Sequence, residues 1–332
     1  MKRSLLGFLA CPKCLGTLGL NVSMETGADI LEGSLDCAKC VRTYPILKGI
    51  PRFVSGEQYT SSFGHQWNKY ARLQLDSRNG TKFSAERFYS ITEWNPADLR
   101  GKFVLDAGCG SGRFSEVALH AGAEVVAVDL STAIDACQNN LHKFDKLHAV
   151  QASLYELPFR AQQFDYAFSI GVIQHCPDPR QAVLCIIDKV KQGGKAGFWI
   201  YELSWKSFFG TIGFKYLLRP ITKRLDTRML EGFITTLEQI CWPINRIARH
   251  RGRAGKMVMR LLPVSCAHLQ GLSLSKGDFR RWVRLDTFDM YSPAYDQPQR
   301  FSNVASWLES AHCSVDARHP HGAISITCSR QQ

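Results

Sequence analysis

The apolar residues in the middle of the chain fall into short continuous runs, separated by segments with helical periodicity. Five such runs begin near Phe103, Glu124, Ala149, Phe164 and Ala196. Residues 190–195, with two adjacent glycines, predict a turn before the last of these runs. Short apolar runs of this kind are typical of strands buried on both faces of a sheet. The segment Phe114–Leu119, which follows the first run, predicts the start of a helix. Strands that alternate with helices predict an α/β fold built on a parallel sheet.

The C-terminal part of the chain extends this pattern. Residues 301–311 form an amphipathic helical pattern with its apolar positions on one side. Two strand patterns follow, at residues 314–318 and 323–329. We expect these segments to complete the sheet as its last two strands.

A glycine-rich turn joins the first predicted strand to the first helix. Gly108, Gly110 and Gly112 follow Asp106 in this turn. Glycines in such a turn let backbone N–H groups approach a ligand closely. The second strand ends on Asp129, and a carboxylate there suits the two hydroxyls of a ribose. These features predict a cofactor of the adenosine type, although a glycine turn by itself often serves only packing.

The spacing of the turn narrows the choice of cofactor. The dinucleotide fingerprint has a small residue at its sixth position, where this sequence has Arg113. The G-x-G-x-G turn with its preceding acid closely resembles the first motif of class I S-adenosylmethionine-dependent methyltransferases. The resemblance implies a Rossmann-like fold in which the turn cradles the methionine end of S-adenosylmethionine. It also implies cofactor contacts from residues near the other strand ends, which are Leu130, Ser153, Leu154 and Ser169.

One position departs from the pattern of that family. The family usually has an acid at the end of the third strand, where this sequence has Ser153. A hydroxyl can still accept a hydrogen bond from the adenine amino group, and Leu154 can still contact the ring through its backbone. The departure therefore concerns how adenine is recognised and leaves the cofactor class unchanged.

Aromatic residues precede the glycine motif. Phe63 and Trp67 lie four positions apart, on one face of a predicted helix. Placed over the cofactor, such rings could stabilise the sulfonium cation, and the segment resembles the lead-in of bacterial methyltransferases with the same N-terminal cysteine motif. The alternative interpretation is that both rings belong to the core.

Four residues are candidates for the acceptor side of the site. His175 follows the fourth strand, in a segment that resembles the family motif there, and Tyr201 follows the fifth. Ligands bind beyond the carboxyl ends of such strands, so a neutral His175 could take a proton from an acceptor hydroxyl or amine. Asp286 and Tyr291 lie in a segment rich in acids and rings that we expect to line the acceptor pocket. In the alternative, His175 only orients its loop and the later segment packs on its own rings.

The N-terminal segment carries two C-x₂-C pairs, formed by Cys11, Cys14, Cys37 and Cys40. Four thiolates at this spacing suit a tetrahedral structural Zn²⁺, with two short strands predicted between the pairs at residues 18–22 and 30–35. Residues 5–54 resemble the zinc-ribbon activator subunit of tRNA and release-factor methyltransferases. The resemblance implies a stabilising and docking role for this segment. The alternative is a set of four unrelated buried cysteines.

A long basic insertion separates the fifth strand from the C-terminal helix. Residues 203–290 are too many for a bare loop, and their apolar positions recur at helical spacing. Between residues 205 and 265, twelve Lys and Arg oppose three acids, which accounts for most of the net charge of +12. Such a basic amphipathic cap could lie on an anionic membrane surface or bind RNA phosphates. The simplest alternative is a roof over the pocket with solvated charges.

The sequence therefore predicts a zinc ribbon at residues 1–55, a methyltransferase core at 56–202 and 291–332, and a helical cap at 203–290. We expect O- or C-methylation of a small biosynthetic acceptor, such as a glycan, a lipid-linked molecule or a polyketide-like molecule. RNA or protein methylation is the second interpretation, and a non-catalytic cofactor-binding module is the third. The sequence leaves the oligomeric state open.

Location is predicted from the apolar runs and the cysteines. No apolar run reaches the roughly 20 residues of a membrane span. Twelve cysteines without a secretory signal indicate a reducing compartment. We therefore expect a cytoplasmic protein, with peripheral contact at the inner face of the membrane as one interpretation of the basic cap.

Overall fold

The computed structural model describes residues 1–54, 61–203, 211–320 and 323–331. Within these residues the chain forms an N-terminal antiparallel sheet, a central mixed sheet with helices on both faces, and a group of inserted helices. Residues 55–60, where the predicted ribbon meets the predicted core, and residues 204–210, in the first part of the insertion, lie outside the described residues.

The N-terminal sheet has four antiparallel strands in chain order. They are β1 (Leu18–Thr26), β2 (Asp29–Cys37), β3 (Arg42–Leu47) and β4 (Ile50–Pro51). The two strands predicted between the cysteine pairs are β1 and β2, each longer than its apolar pattern. Polar residues extend both strands because the hairpin between them keeps its ladder as far as Thr26 and Asp29.

The central sheet has seven strands. They are β5 (Phe103–Ala107), β6 (Glu124–Asp129), β7 (Leu147–Gln151), β8 (Phe164–Ile170), β9 (Val190–Ile200), β10 (Cys313–Pro320) and β11 (Ile324–Arg330). Their order is β10-β11-β9-β8-β5-β6-β7. The five strands from β5 to β9 are parallel, and β11 pairs antiparallel with β9 and β10. The predicted α/β fold is confirmed, and the two C-terminal strands complete the sheet as expected.

Helices around the sheet enclose two cores, one on each face. The helices that precede the insertion are α1 (Ser61–Lys69), α2 (Asp76–Asn79), α3 (Phe83–Thr92), α4 (Pro96–Leu99), α5 (Arg113–His120), α6 (Ala133–Leu141) and α7 (Pro179–Lys189). In β5, Val104 packs into the core that contains residues of α3, α5 and α6, and Leu105 packs into the core that contains residues of α7. Adjacent residues alternate in this way because successive side chains of a strand point to opposite faces.

One predicted turn is wrong. Residues 190–195 were expected to form a turn before the fifth strand, but they belong to β9. The register jumps there, because Phe164 pairs with Val190 while Tyr166 pairs with Lys195. Three extra residues of β9 therefore bulge out, and Gly193 takes a φ of 72° in the bulge. A bulge absorbs the glycines without ending the strand.

The N-terminal sheet docks on the β7 edge of the central sheet. Arg52 forms a parallel bridge with Gln151, the last residue of β7, and the Phe53 N–H donates to the Gln151 carbonyl at 2.8 Å. The Arg52 guanidinium donates to the Gln151 side chain and to Asp135 on α6, each at 2.7 Å. Leu9 forms a second bridge to Phe159. The apolar core of the ribbon is therefore continuous with that of the central sheet.

The insertion is helical, as its periodicity predicts. It contains α8 (Thr211–Thr222), α9 (Thr227–Ala248), α10 (Gly252–Met259) and α11 (Lys276–Tyr291), and α12 (Phe301–Ser310) then leads into β10. Asp226 caps α9 by accepting hydrogen bonds from two backbone N–H groups at 2.9 Å. Among the described residues, no helix is both long enough and apolar enough to cross a membrane.

Candidate functional site

The turn between β5 and α5 requires glycine at three positions. Gly108, Gly110 and Gly112 have φ values of 91°, 54° and 89°, which side chains rarely tolerate. A Cβ at Gly108 would also lie 2.5 Å from the side chain of Val172. The Gly108 N–H donates to the Val128 carbonyl of β6 at 2.8 Å. The turn is therefore held against the neighbouring strand with its backbone bare.

The carboxylate of Asp129 is positioned at the end of β6, beside this turn. One oxygen accepts from the Gly110 N–H at 2.9 Å, and the other accepts from the N–H and hydroxyl of Ser131 at 2.8 and 2.7 Å. Burial raises the pKa of this carboxyl, and the three hydrogen bonds oppose the shift. Each carboxylate oxygen has more than one acceptor position, so Asp129 can also accept from ligand hydroxyls.

A cavity of about 490 Å³ lies beyond the carboxyl ends of the central strands, below α1 and the cap. Ten of the site residues predicted from the sequence line it: Phe63, Trp67, Gly108, Gly110, Asp129, Leu130, Leu154, His175, Tyr201 and Asp286. This volume is within the range of pockets that hold small molecules and cofactors. The structure thus brings cofactor and acceptor candidates from separate parts of the chain to one cavity.

The two aromatic residues of α1 lie over opposite parts of this cavity. The Trp67 ring lies over the glycine turn, at 3.3 Å from the position of a Cβ on Gly110. The Phe63 ring lies 5.3 Å from the imidazole of His175, measured between centroids. Both rings face the cavity, as a lid would require, and Trp67 also packs against the core of the cap.

Three predicted cofactor residues lie next to the cavity without lining it. Asp106 is buried and accepts a hydrogen bond from the Ser115 hydroxyl at 2.5 Å, and burial raises its pKa to about 7. Gly112 packs on α6, where a Cβ would lie 2.7 Å from Leu141. Ser169 donates to the last carbonyl of β5 at 2.8 Å. All three fix the glycine turn and the strand ends around it.

Two further predicted residues are not brought to the cavity. Ser153 caps a short 3-10 helix, where its hydroxyl accepts from the Tyr155 N–H at 3.2 Å. Tyr291 is fully buried inside the cap, and its hydroxyl donates to the Pro263 carbonyl at 2.9 Å. The segment that contains Tyr291 is the end of α11, and the helix turns this ring away from the pocket.

His175 is held in one orientation with one nitrogen unpaired. Its Nδ1 lies 3.0 Å from the Tyr295 carbonyl. A carbonyl can only accept, so Nδ1 carries the proton and Nε2 keeps its lone pair. Nε2 is buried without a hydrogen-bond partner among the described residues. Burial lowers the pKa of this imidazole to about 4, so it is neutral at pH 7.

Two arginines that sequence reasoning missed also line the cavity. The guanidinium of Arg87 stacks 4.5 Å above the Trp199 ring, and that of Arg113 donates to Ser84 and Gln74 at 2.9 and 3.2 Å. Arg87 Nε and one Nη of Arg113 are buried without partners, and neither side chain is in an ion pair among the described residues. Burial, together with the charge of Arg87, lowers the pKa of Arg113 to about 9. The pair supplies two guanidinium groups to the cavity, and the charge of Asp286 acts on both of them.

Lys215 is another lining residue that the sequence did not single out. Its ammonium is bonded to the fully buried Asp296 at 2.8 Å and lies 4.6 Å over the Tyr201 ring. Burial lowers the pKa of Lys215 and raises that of Tyr201. In the sequence Lys215 counts only as one of the cap cations. Its spacing from the exposed apolar residues of the same helix could have indicated that Lys215 lies on a different face of that helix.

The acidic side of the cavity comes from one face of α11. Asp286 accepts from Gln74 at 3.1 Å and from His268 at 2.7 Å. Asp289 lies one turn later on the same face, and burial, with a contribution from the charge of Asp286, raises its pKa to about 7. Residues three apart on a helix share a face, which is a signal by which Asp289 could have been found.

The two cysteine pairs converge on one point in the ribbon. The sulfurs of Cys11, Cys14, Cys37 and Cys40 all lie within 4.8 Å of one another. Zn–S bonds of about 2.3 Å in a tetrahedron separate the sulfurs by roughly 3.8 Å, so the cluster fits a four-coordinate zinc. The Tyr44 hydroxyl lies 3.2 Å from the Cys11 sulfur. All twelve cysteines of the chain are free thiols in the structure.

The two cysteine pairs are each followed by a backbone turn of the same conformation. Leu15 and Val41 each follow the second cysteine of a pair, and both take left-handed conformations, with φ of 55° and 54°. Gly16 lies against the cluster, since a Cβ there would be 3.2 Å from the Cys14 sulfur. Two matching turns present two thiols each, as a ribbon site requires.

Comparison with known families agrees with this geometry. Residues 105–198 match the family described as a methyltransferase domain, and residues 2–49 match the family of Trm112p-like proteins. The first match begins at the glycine-turn strand and ends in β9. The second covers all four cysteines.

Two sequence relatives carry the name of a methyltransferase. The chain is 33% identical over 196 residues to the ubiquinone biosynthesis O-methyltransferase of Coxiella burnetii (strain RSA 331), which spans 51% of this chain and 83% of the relative. It is 35% identical over 175 residues to the protein of the same name from Aromatoleum aromaticum, at 51% and 70% coverage. A solved complex of the Haloferax volcanii Trm112 methyltransferase activator with a putative methyltransferase matches with a TM-score of 0.46 and 11% identity, over 84% of this chain and 100% of that chain.

The glycine turn, the acid at the end of β6, the strand order and the matched relatives all agree. Family membership also favours an enzyme over a non-catalytic cofactor-binding module. The chain belongs to the class I S-adenosylmethionine-dependent methyltransferases, and it carries a Trm112-like zinc ribbon at its N-terminus.

Proposed function

We propose that this enzyme transfers a methyl group to a hydroxyl of a small amphiphilic acceptor, such as a glycan, a lipid-linked molecule or a polyketide-like molecule. The observation that carries the proposal is His175, a neutral imidazole at the cavity whose Nε2 has no partner. A buried acceptor atom left unpaired is costly, and a ligand hydroxyl would satisfy it. The names of the O-methyltransferase relatives favour oxygen over carbon as the methylated atom.

The lining of the cavity supports an amphiphilic acceptor. The rings of Phe63, Trp67 and Trp199 supply apolar surface, while Arg87 and Lys215 supply charge. Pockets of this kind bury most of a small ligand and orient it through a few polar groups.

On the cofactor side, we assign each role to residues that line the cavity. When bound, S-adenosylmethionine supplies an electrophilic methyl group on its sulfonium. The backbone of the glycine turn would hold its methionine end, Asp129 would accept from its ribose, and Leu130 and Leu154 would flank the adenine. The rings of Phe63 and Trp67 would lie near the sulfonium cation.

His175 would manage the proton of the acceptor. As the acceptor oxygen gains the methyl group, its O–H bond breaks and Nε2 takes the proton. The pKa of about 4 makes this imidazole a weak base, so the proton leaves the oxygen only as the new C–O bond forms. The hydrogen bond to Tyr295 and the edge of the Tyr201 ring, 5.5 Å away between centroids, keep the imidazole in place. Orientation of the acceptor supplies the rest of the rate gain.

Replacing His175 with alanine is expected to lower kcat by roughly 100-fold and to leave the Kd for S-adenosylmethionine within about twofold, since the proposal gives the imidazole a role toward the acceptor and none toward the cofactor. The acceptor is to be identified by comparing metabolites of a deletion strain with its parent. Turnover and cofactor titration on the purified variant then test the role. His175→Gln should retain KM while kcat falls, because an amide oxygen accepts a hydrogen bond but not a proton.

His148 offers a matched control for this experiment. It is also buried, but it bonds Glu124 at the far end of β6. His148→Gln should leave kcat unchanged. Full turnover by His175→Ala would contradict the proton-transfer role and leave orientation alone to carry the chemistry.

The unpaired arginines predict a carboxylate on a bound ligand. Arg87→Gln is expected to weaken binding of the carboxylate-bearing ligand about 10-fold or more, because a hydrogen bond between charged groups contributes roughly 1.5–3 kcal/mol. Calorimetry with S-adenosylhomocysteine and with methylthioadenosine, which lacks the carboxylate, separates the sources. If only S-adenosylhomocysteine loses affinity, then Arg87 binds the carboxylate of the cofactor. If only the KM of the acceptor rises, then Arg87 binds a carboxylate of the acceptor. No change in either contradicts the prediction.

RNA or protein is the second candidate acceptor. The match of residues 2–49 to Trm112p-like proteins and the net charge of +12 favour it. Filter retention of bulk tRNA over a series of salt concentrations distinguishes the candidates, because phosphate contacts give a steep salt dependence. Tight retention with a steep slope would favour the RNA acceptor.

A further inference from the structure

The outer surface of the cap exposes an unusual amount of apolar side chain. Of the seventeen large hydrophobic side chains that are exposed in the described part of the chain, ten lie between residues 211 and 261. We call these ten residues the outer cap face: Phe214, Leu217, Ile221, Met229, Ile240, Ile244, Ile247, Met257, Val258 and Leu261. They come from α8, α9, α10 and the residues just after α10. Exposed apolar groups concentrated in one region indicate a binding surface.

The longest of these helices has two apolar sides. In α9 the inner side buries Leu230, Ile234 and Cys241. Met229, Ile240 and Ile247 recur at spacings that put them within about 20° of one another around the helix, and they are 60–68% exposed. A helix that only packs on a core needs one apolar stripe. The second stripe of α9 therefore lacks a partner among the described residues.

The charges around the outer cap face are not neutralised by the chain itself. Eight exposed cations of the cap are in no ion pair among the described residues: Lys223, Arg224, Arg228, Arg246, Arg251, Arg253, Lys256 and Arg260. The acids of the same stretch are already engaged. Asp226 caps α9, Glu231 pairs with Lys69, and the buried Glu238 is held between two arginines of α11. The face is therefore apolar, basic and without internal counter-charge.

We propose that the outer cap face docks on the surface of an anionic lipid bilayer. Apolar side chains would enter the boundary between headgroups and acyl chains, and the surrounding cations would contact the anionic headgroups. Nine of the ten apolar residues are not aromatic, whereas surfaces that bind single-stranded nucleic acid rely on aromatic side chains for stacking. A second copy of this chain would bring one cationic face against another, which charge repulsion opposes.

The position of α8 connects this face to the cavity. Leu217 and Ile221 are exposed, at 70% and 65%, while Lys215 on the same helix points inward to Asp296 beside the cavity. A docked cap would therefore hold the cavity close to the membrane surface. The docking supports an acceptor that is presented at the membrane. This choice of acceptor is the one point at which the docking rests on the proposed function. Binding to vesicles requires no acceptor, so docking and methyl transfer can fail separately.

Flotation with vesicles tests the docking on the full-length protein. We expect it to float with vesicles of mixed phosphatidylcholine and phosphatidylglycerol at low salt, and to float much less at high salt or with phosphatidylcholine alone. Each cation at an anionic surface contributes about a factor of five, so R251Q/R253Q should weaken partitioning about 25-fold. The pair I240Q/I244Q should weaken it at least about tenfold through lost apolar burial.

Exposed residues outside the cap provide the control variants. Met24→Gln changes a side chain that is 52% exposed on the ribbon, and Lys102→Gln changes an exposed cation before β5, so both should float like the unchanged protein. All variants alter exposed side chains, and circular dichroism with cofactor titration checks their fold. The proposal is overturned if the protein stays at the bottom of a low-salt gradient with anionic vesicles, or if both double variants float normally. A dimer that I240Q/I244Q dissociates would assign the face to a second copy and overturn it as well.

Discussion

With Asp129 replaced by alanine, S-adenosylmethionine is expected to bind at least about 100-fold more weakly. The carboxylate fixes the Gly110 N–H at 2.9 Å and lies at the cavity with acceptor positions to spare. Each hydrogen bond from a ribose hydroxyl to a charged oxygen contributes roughly 1.5–3 kcal/mol, and the loss of two such bonds gives a change of this size. Isothermal titration calorimetry on the unchanged protein and the variant measures it directly.

Two further variants sharpen the test. Asp129→Asn keeps one oxygen for the glycine turn but loses the charge, so an intermediate affinity is expected. Glu124→Gln alters an acid at the opposite end of the same strand, where it bonds His148 outside the cavity, and should leave the affinity unchanged. An Asp129→Ala protein that binds as tightly as its parent would remove this residue from the cofactor site. No detectable heat with the unchanged protein would contradict cofactor binding itself.

The part of the site that could be predicted from the sequence lies in continuous segments. The glycine turn and Asp129 were recognisable because a turn, its glycines and the next strand end lie within 22 residues of one another. The structure brings them together through the parallel pairing of β5 with β6, in which Ala107 lies opposite Val128. Adjacent parallel strands place their carboxyl ends at one edge, so spacing along the chain was sufficient.

The residues that were missed come from elements without a motif. Arg87 lies on α3, and it reaches the cavity only because that helix packs against β9 and stacks the guanidinium on Trp199. The tautomer of His175 depends on a carbonyl 120 residues later in the chain, at Tyr295. Contacts at such separation are set by the packing of whole elements, which one sequence does not encode locally.

The return segment from the cap shows how a local error propagates. Asp286 and Tyr291 were expected to share the pocket, in a segment rich in acids and rings. In the structure this segment is the end of α11, where Asp286 and Asp289 point to the cavity. Tyr291 lies five residues after Asp286, roughly 140° further round the helix. The helical period therefore separates two residues that lie close together in the sequence.

The sequence predicted which residues form the metal cluster of the ribbon, but it did not predict where the ribbon packs on the central sheet. The cysteine spacing indicated one four-thiol cluster, and the sulfurs do converge. The contact of Arg52 with Gln151 joins residues 99 positions apart and places the ribbon on the β7 edge. No spacing rule in the N-terminal segment specifies that edge.

This placement means that loss of the metal should affect more than the ribbon. Cys37 is buried, and the apolar core around it continues into the core of the central sheet. Structural zinc sites contribute their binding free energy to folding. We expect one zinc ion per chain, bound by the four cysteines, and we expect Cys37→Ser to abolish it.

The expected consequence of losing the metal is a lower thermal midpoint for the whole protein, by roughly 4–5 °C for every 3 kcal/mol of stability lost. Elemental analysis gives the metal content, and calorimetry of unfolding before and after chelation gives the shift. Cys313→Ser is the matched control, since Cys313 is also buried but lies on β10 outside the ribbon. This variant should keep its zinc and its response to chelator. If the purified protein is metal-free yet folded, and chelator leaves its midpoint unchanged, then the four thiols are only part of the core. If chelation instead produces a separate transition at low temperature while the main transition keeps its midpoint, then the ribbon unfolds alone. Its unfolding would then not be cooperative with that of the central sheet.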